Sequence, residues 1–469
     1  MMKKRKGYPV YPLTAAQKFH FFYQNFCPKK EVLNVGTSLT IEAELDWEVL
    51  KASICKAYER CECLRVRFAA DKEGTWYQYV VNTEEGRPDV EFMDFTAGTM
   101  EEAEKIMTEW TAVPFKPQDS PMSRIVMIKM PDGFQGVYLL VDHRIMDAQS
   151  LICFLRDVIE LYCNTMYEGV DYPKDMASYI EQLQKDLAYE AGSRAQARDR
   201  AYFHKLIEES EPIYNGIEGP KKLEEARAAT GNPNLRAAPT GSDSFAAAID
   251  VFHLEEEPTR RLMTFCEQQH ISLQCLLVMG IRTYLQKINT CDDVSMQIAY
   301  ARRATLQEKK SGGTRIHCFP FRTVIPEDKT FLEGIFEIRD KQNEVFRYVN
   351  FNPGEYLGYR SQLYKLPRGM GYETVSLTYQ PATLREKGLT DLGGIRYKTK
   401  RYCNGYYSDG LYLTVMHRAE DNGLDFSFEH QTKAYTKEQL EYFYYYICKI
   451  MFKGIENPDL KIGEIIRLV

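Results

Sequence analysis

The sequence predicts an α+β fold, and three observations carry that prediction. A helix pattern capped by Asp46, with Trp47, Leu50, Ile54 and Tyr58 at helical spacing, gives way to strand patterns at 64–68 and 76–81. The apolar run Val137-Tyr138-Leu139-Leu140-Val141 reads as a strand, and it leads through a short turn into 149–163, where Leu151, Ile152, Leu155, Val158, Ile159 and Tyr162 recur at helical spacing. The second half then restarts the rhythm, with a strand at 245–254, helices at 258–270 and 273–288, and a strand at 292–300.

Between the halves, a polar stretch at 173–200 carries Tyr179, Leu183 and Leu187 at helical spacing, and the lobe boundary is placed there, giving lobes of 1–178 and 179–469. Residues 216–243 contain Gly219-Pro220, Asn232-Pro233 and Pro239 with little apolar periodicity, and read as a long surface loop, a plain insertion. Ser376-Leu377-Thr378-Tyr379-Gln380 reads as a further strand, with Tyr379 a candidate cavity residue to which no chemistry is assigned. The run Tyr442-Phe443-Tyr444-Tyr445-Tyr446 follows a helix start at Thr436-Lys437-Glu438-Gln439, so its rings are expected on the buried and boundary face of a late helix.

Composition narrows the function classes. A chain of 469 residues, 44% hydrophobic and 27% charged, has the length and apolar content for two large globular lobes. The net charge of −6, from 60 basic and 66 acidic residues well mixed, gives no electrostatic footprint for nucleic acid. The basic start Met1 to Lys6 is followed by Gly7-Tyr8-Pro9 rather than an apolar run, and no stretch is long and apolar enough to span a bilayer, so a cytoplasmic protein without a membrane partner is expected. The 12 cysteines are scattered, several inside apolar helical segments (Cys55, Cys153, Cys266, Cys275, Cys448), which suits reduced thiols. Cys61 and Cys63 lack a second paired cluster, and alternation along a strand is expected to separate them, so no metal site is read there. The sequence has no G-x-S-x-G elbow, no G-x-G-x-x-G opening a helix and no phosphate loop, which removes support for hydrolase, dehydrogenase and nucleotide-driven ligase readings.

His143 and Asp147 fall in the strand-to-helix turn after Val141. Such a turn exposes side chains at the end of a sheet, and the following helix presents backbone N–H groups without intrahelical partners. Imidazole titrates near neutrality, so His143 suits a general base, while Asp147 can orient it or brace the turn. The other histidines, His20, His204, His253, His270, His317, His417 and His430, are dispersed and read as surface or structural.

Four stretches in order carry a resemblance to a known family. Tyr11-Pro12-Leu13-Thr14-Ala15-Ala16-Gln17 is similar to an opening S-x-A-Q element, and Arg60-Cys61-Glu62-Cys63-Leu64-Arg65-Val66-Arg67-Phe68 matches five of seven specified positions of R-H-E-x-L-R-T-x-F. Asp142-His143-Arg144-Ile145-Met146-Asp147-Ala148 resembles H-H-x-x-x-D-G, and Asn457-Pro458-Asp459-Leu460-Lys461-Ile462-Gly463-Glu464-Ile465 resembles the closing segment. Together they resemble the condensation domain of nonribosomal peptide synthesis, within the chloramphenicol-acetyltransferase-like acyltransferases. The Ala-Arg-Arg turn at Ala301 resembles part of the same family's C-terminal lobe, whereas Cys318-Phe319-Pro320-Phe321-Arg322 matches its G-x-F-V-N-T-like strand poorly.

The resemblance implies two chloramphenicol-acetyltransferase-like lobes arranged as a V, with the site in a tunnel between them. It makes His143 the catalytic histidine and Asp147 the structural aspartate, with Arg65 the expected partner of Asp147 and Arg60 in support. Two positions depart from the pattern. Asp142 replaces the first histidine, and is expected either to raise the pKa of His143 or to be a buried charge seeking an arginine. Ala148 replaces glycine, keeps the N–H as an oxyanion-binding candidate, and costs little if its φ is negative.

The implied reaction joins an acyl or aminoacyl donor, held as a phosphopantetheine thioester on an acyl or peptidyl carrier protein or on coenzyme A, to a small-molecule amine or alcohol acceptor. No bound cofactor and no metal are implied. The D-F-G-W-G element of the plant and fungal acyl-CoA branch is missing, which tilts the reading toward a carrier-linked condensation enzyme forming an amide. The alternatives are a freestanding acyl-CoA-dependent O- or N-acyltransferase, and a catalytically degenerate module that docks carrier proteins.

Overall fold

The computed structural model describes residues 4–381, 395–418 and 421–469. The chain divides into two compact units, one built from the described residues of 1–193, 301–316 and 382–406, the other from those of 194–300, 317–381 and 407–469. Each holds a mixed sheet with helices packed on it, the α+β fold read from sequence.

In the first unit a five-stranded sheet runs in the order Tyr397–Tyr402, Asn34–Ile41, Gln135–Asp142, Ser123–Lys129, Val90–Asp94. Neighbours are antiparallel except the last pair, which is parallel. Gln135–Asp142 lies at the centre and is buried at every position, which is why it reads as an unbroken apolar run rather than an alternation. Gly136 on this strand faces Thr40 of its neighbour, where a Cβ would lie 2.0 Å from the Leu39 carbonyl oxygen, so the close approach requires glycine. A smaller antiparallel sheet, in the order Lys4–Arg5, Tyr8–Pro12, Trp76–Val80, Val66–Ala70, completes the strands described for this unit.

The helix Trp47–Arg60 forms as its spacing predicts. The Asp46 carboxylate accepts from the N–H groups of Glu48 and Val49, and Leu50, Ile54 and Tyr58 are buried. The helix after the central strand spans Ala148–Met166.

In the second unit the sheet order is Ala247–Leu254, Leu424–Gln431, Leu411–His417, Ser376–Gln380, Asp293–Tyr300, His317–Val324. Helix Leu273–Asn289 is buried along most of its length, and helix Lys437–Glu456 packs against it, with Phe443 buried and Tyr442 and Tyr445 exposed. Tyr379 is half-buried and 2.9 Å from His417 Nε2.

Three expectations are corrected. Residues 64–68 do not form one strand, because a 3-10 turn at Glu62–Arg65 precedes the strand Val66–Ala70. Cys61 therefore caps a helix instead of alternating with Cys63, and their sulfurs are 3.4 Å apart, both buried. Residues 216–243 are not a plain surface loop. They contain the helix Lys221–Thr230, whose Leu223 and Ala226 share a small core with Tyr214 and Ala238, and Ala238–Pro239 pairs with Met370–Gly371. So few buried positions leave no readable period.

The division at 178 does not match the compact units either. Helix Tyr179–Glu190 belongs to the first, where the Tyr179 hydroxyl donates to Gln78 Oε1 at 2.6 Å and Glu62 accepts from Ser178 and Ile180. Segment 301–316 also belongs there, with Arg302 and Arg315 against Asp186 of that helix.

Gly136→Ala is expected to lower unfolding stability by about 1–3 kcal/mol, the cost of overpacking a tight contact. Urea unfolding measures it; an unchanged midpoint would mean that the strands separate freely there.

Candidate active site

The central strand ends at Asp142, and residues 143–147 turn sharply into the helix Ala148–Met166. Main-chain bonds pin this turn: His143 N–H donates to Leu33 O at 2.8 Å, Asp142 N–H to Met122 O at 2.9 Å, and Ile145 N–H to Asp142 O at 3.0 Å. Met146 forms a β-bridge with Gly313.

Asp147 is the helix N-cap, accepting from Ser150 N–H at 3.0 Å. Its side chain is only 3% exposed, and Arg303 Nη2 lies 2.9 Å from both carboxylate oxygens. Arg315 N–H donates to Oδ2 at 2.9 Å, and the Ser150 hydroxyl lies 2.9 Å from Oδ1. Burial opposes the charge, but the Arg303 guanidinium and these N–H groups outweigh it and hold the carboxyl below its ordinary value.

Arg303 also donates to the carbonyls of Gly313 (2.9 Å), Ser311 (2.6 Å) and Glu308 (2.6 Å). Gly313 has φ +97°, and a Cβ there would meet the Tyr179 ring at 2.5 Å, so only glycine lets this strap lie down on the turn.

The expectation that Arg65 partners Asp147 is corrected. Arg65 donates instead to the carbonyls of Val81 (2.6 Å) and Glu59 (3.3 Å). Its 3-10 turn carries it to that loop, and the carboxylate is already saturated by Arg303. Arg60 makes a two-point pair with Asp157 (2.9 and 3.1 Å), bracing the helix Ala148–Met166 well past its start. The Arg303 signal was visible only as the Ala301-Arg302-Arg303 turn, since sequence spacing does not name a partner 156 residues away.

Asp142 follows the second of its two expected courses. Arg144 Nε and Nη2 meet its oxygens at 2.8 and 2.6 Å, and both side chains are 2% exposed or less. The Arg144 guanidinium sits over the rings of Phe21 and Phe68, 4.4 and 5.2 Å from their centroids. Ala148 is the first residue of the helix, with dihedrals any residue adopts, so the lost glycine costs the backbone nothing.

His143 is half-buried, and its Nδ1 is enclosed without a hydrogen-bond partner of ordinary geometry. Burial holds its imidazole below the usual value of 6.5, outweighing the lift from its own main chain, from Asp147 and, least, from Asp142, and Arg401 adds to the lowering. The ring stacks on His20, centroids 4.3 Å apart and planes 30° apart. His20 was read from sequence as surface or structural; the sequence signal it does carry is its position three residues after Gln17 of the opening element. Arrayed this way, the site offers a neutral imidazole beside the free N–H groups of a helix start, a set suited to moving a proton and stabilising an oxyanion. Among the described residues, no group of three or more His, Cys, Asp or Glu side chains is placed to hold a metal ion, and no helix is long and apolar enough to cross a membrane.

Arg303→Ala is expected to destabilise the protein by about 3–5 kcal/mol, because it strands a buried carboxylate. Arg65→Ala is expected to cost less, about 1.5–3 kcal/mol, because it removes charge-assisted bonds to main-chain carbonyls and strands no buried charge. Denaturant unfolding of both variants checks the order, and its reversal would restore Arg65 as the partner.

Comparison with known proteins gives the same direction throughout. The family model described as "Condensation domain" matches residues 9–468. The chain is 20% identical over 464 residues to a plipastatin synthase of Bacillus subtilis (strain 168), covering 97% of this chain and 17% of that one. It is 22% identical over 472 residues to surfactin synthase subunit 1 of the same organism, covering 97% and 12%. The chain thus spans less than a fifth of these relatives. Among solved structures, the first condensation domain of the calcium-dependent antibiotic synthetase, in complex with substrate analogue 3a, superposes with a TM-score of 0.78 at 20% identity, covering 97% of this chain and 98% of that one. A mutant starter condensation domain of the rhizomide synthetase, in complex with C8-CoA, gives 0.78 at 18% identity, covering 97% and 96%.

Proposed function

We propose that this chain, which belongs to the condensation-domain family of amide-forming acyltransferases, uses His143 as general base or proton guide to join a phosphopantetheinyl acyl or aminoacyl thioester to an amine. The observation that carries the reading is the placement of His143: an imidazole at the end of the central strand, held by burial below its ordinary pKa, with both flanking carboxylates engaged by arginines. With Nδ1 enclosed, Nε2 is the nitrogen left to meet the acceptor amine. A thioester is already activated, so much of the rate comes from holding donor and amine together. As the amine attacks the thioester carbonyl, His143 takes its proton and the thiolate leaves. The N–H groups of Ala148 and Gln149 have no intrahelical acceptor and serve the transient oxyanion. Asp147 holds the turn and does not touch the proton.

The donor is proposed to arrive on an acyl or peptidyl carrier protein, since the relatives are long synthases of which this chain covers a fraction. Coenzyme A is the second donor considered, on the strength of the similar rhizomide domain with C8-CoA. The degenerate docking module loses its motivation. Asp142 is neutralised by Arg144, and Ala148 fits a helical backbone.

Intact-mass detection of amide product, with a panel of acyl-loaded carrier proteins and acyl-CoAs offered with amines, tests this. His143→Ala is expected to lower turnover at least about 100-fold, the usual worth of a general base, with the fold retained by circular dichroism. Undiminished turnover would remove His143 from the chemistry. The base must be neutral to work, and its pKa in the folded protein is lowered, so with saturating amine the loss due to His143 comes only as pH drops below the ordinary 6.5. A kcat profile, corrected for the ionisation of the amine, with an acid limb above that value would contradict the assignment.

A further inference from the structure

A general base must be held in one orientation, and histidines are ordinarily held by a hydrogen bond from the nitrogen that does no chemistry. His143 has that device only weakly. Its Nδ1 has no neighbour to bond but its own main chain, and not at ordinary geometry, while Asp142 is turned to Arg144 and Asp147 is turned to Arg303. The neighbour its ring does have is His20, stacked at 4.3 Å.

His20 belongs to the helix Ala15–Phe26, and the face it occupies is built around the dipeptide His143-Arg144. Gln17, one turn before, donates from Nε2 to the Arg144 carbonyl at 3.3 Å and to Gln78 Oε1 at 2.9 Å. Gln24, one turn after, accepts from Arg144 Nη1 at 3.2 Å. Gln17, His20 and Gln24 thus recur along one helical stripe, and all three are buried. On its far edge, His20 Nε2 lies 3.3 Å from the Thr314 hydroxyl, on the strap that carries Arg303 and Arg315. A capping box formed by Thr14 and Gln17 starts the helix, so the stripe is anchored at its head as well.

Resting on the reading of His143 as the base, we propose that His20 is a positioning residue for the reaction: its ring, held by Thr314, fixes the plane of the His143 imidazole and presents a flat face to the imidazolium formed when a proton is taken up. An imidazole is used rather than a plain ring because its Nε2 also locks the stack to the strap. The charged and titratable groups that face the pair are Asp142 and Arg144 at the strand end, Asp147 at the helix start and Arg401 on the edge strand. Burial, with His143 and Arg144 adding to it, keeps His20 neutral, so the two rings do not compete for one proton.

The test compares His20→Leu, of similar bulk without a flat face, with His20→Phe, which keeps the stack, using acyl-loaded carrier protein or acyl-CoA and an amine on the full chain. His20→Leu is expected to lower kcat at least about tenfold, the penalty of a misplaced base, with the KM of both substrates within about twofold. It also loosens the site, so the acid limb of the pH profile moves up toward 6.5. His20→Phe is expected to restore most of kcat and leave the acid limb near its original place. Thr314→Val is expected to give a smaller fall in kcat. Equal kcat and acid limb in wild type and His20→Leu, an equal loss in the Leu and Phe variants, or a change confined to KM would each overturn the proposal. His143→Ala, run alongside, separates the levels: if it stays active the base reading itself fails, whereas an inactive His143→Ala with a wild-type-like His20→Leu sinks only the role of His20.

Discussion

A carboxylate buried at the head of a helix, 3% exposed, is tolerable only if its charge is met, and meeting it organises the first unit. Asp147 caps the helix and is itself met by Arg303, which arrives 156 residues later. That requirement brings segment 301–316 back to the unit that begins the chain. The strap then needs Gly313 at positive φ to pass Tyr179, and its Arg315 N–H completes the carboxylate. Removal of any one member leaves a buried donor or acceptor without its partner, which costs more than the bond itself.

The same logic explains how the site accommodates its departures from the family pattern. A carboxylate at position 142 beside an imidazole would ordinarily favour the protonated ring. Here Arg144, two residues on along the same backbone, closes on Asp142 and is sandwiched by Phe21 and Phe68. The two carboxylates flanking His143 are thereby each met by an arginine, and burial, with Arg401 adding to it, holds the imidazole between them below its ordinary pKa. Orientation is then left to packing, which is where His20 and its helix enter.

Much of this was legible in the residues. The central strand, the turn with His143 and Asp147, and the helix after it followed from an apolar run meeting a 3.6-residue period, and Asp46 marked its own helix. The fate of Asp142 was among the expected ones. What failed was longer in range or weaker in period. Arg65 matched a family element yet bonds local carbonyls, because a 3-10 turn occupies 62–65 where strand alternation was assumed. The same turn brings the sulfurs of Cys61 and Cys63 together. Residues 216–243 hid a helix because only Leu223 and Ala226 on it are buried. His20 carried no motif of its own, and its stacking on His143 is a fact of tertiary packing alone.

The central claim is that Asp147 and Arg303 act as one unit to hold the turn that presents His143. A double-mutant cycle in urea unfolding, with Asp147→Asn, Arg303→Met and the pair, measures that directly. The account predicts a coupling free energy of at least about 1 kcal/mol, with the double variant less destabilised than the sum of the singles; additivity to within about 0.5 kcal/mol would contradict it.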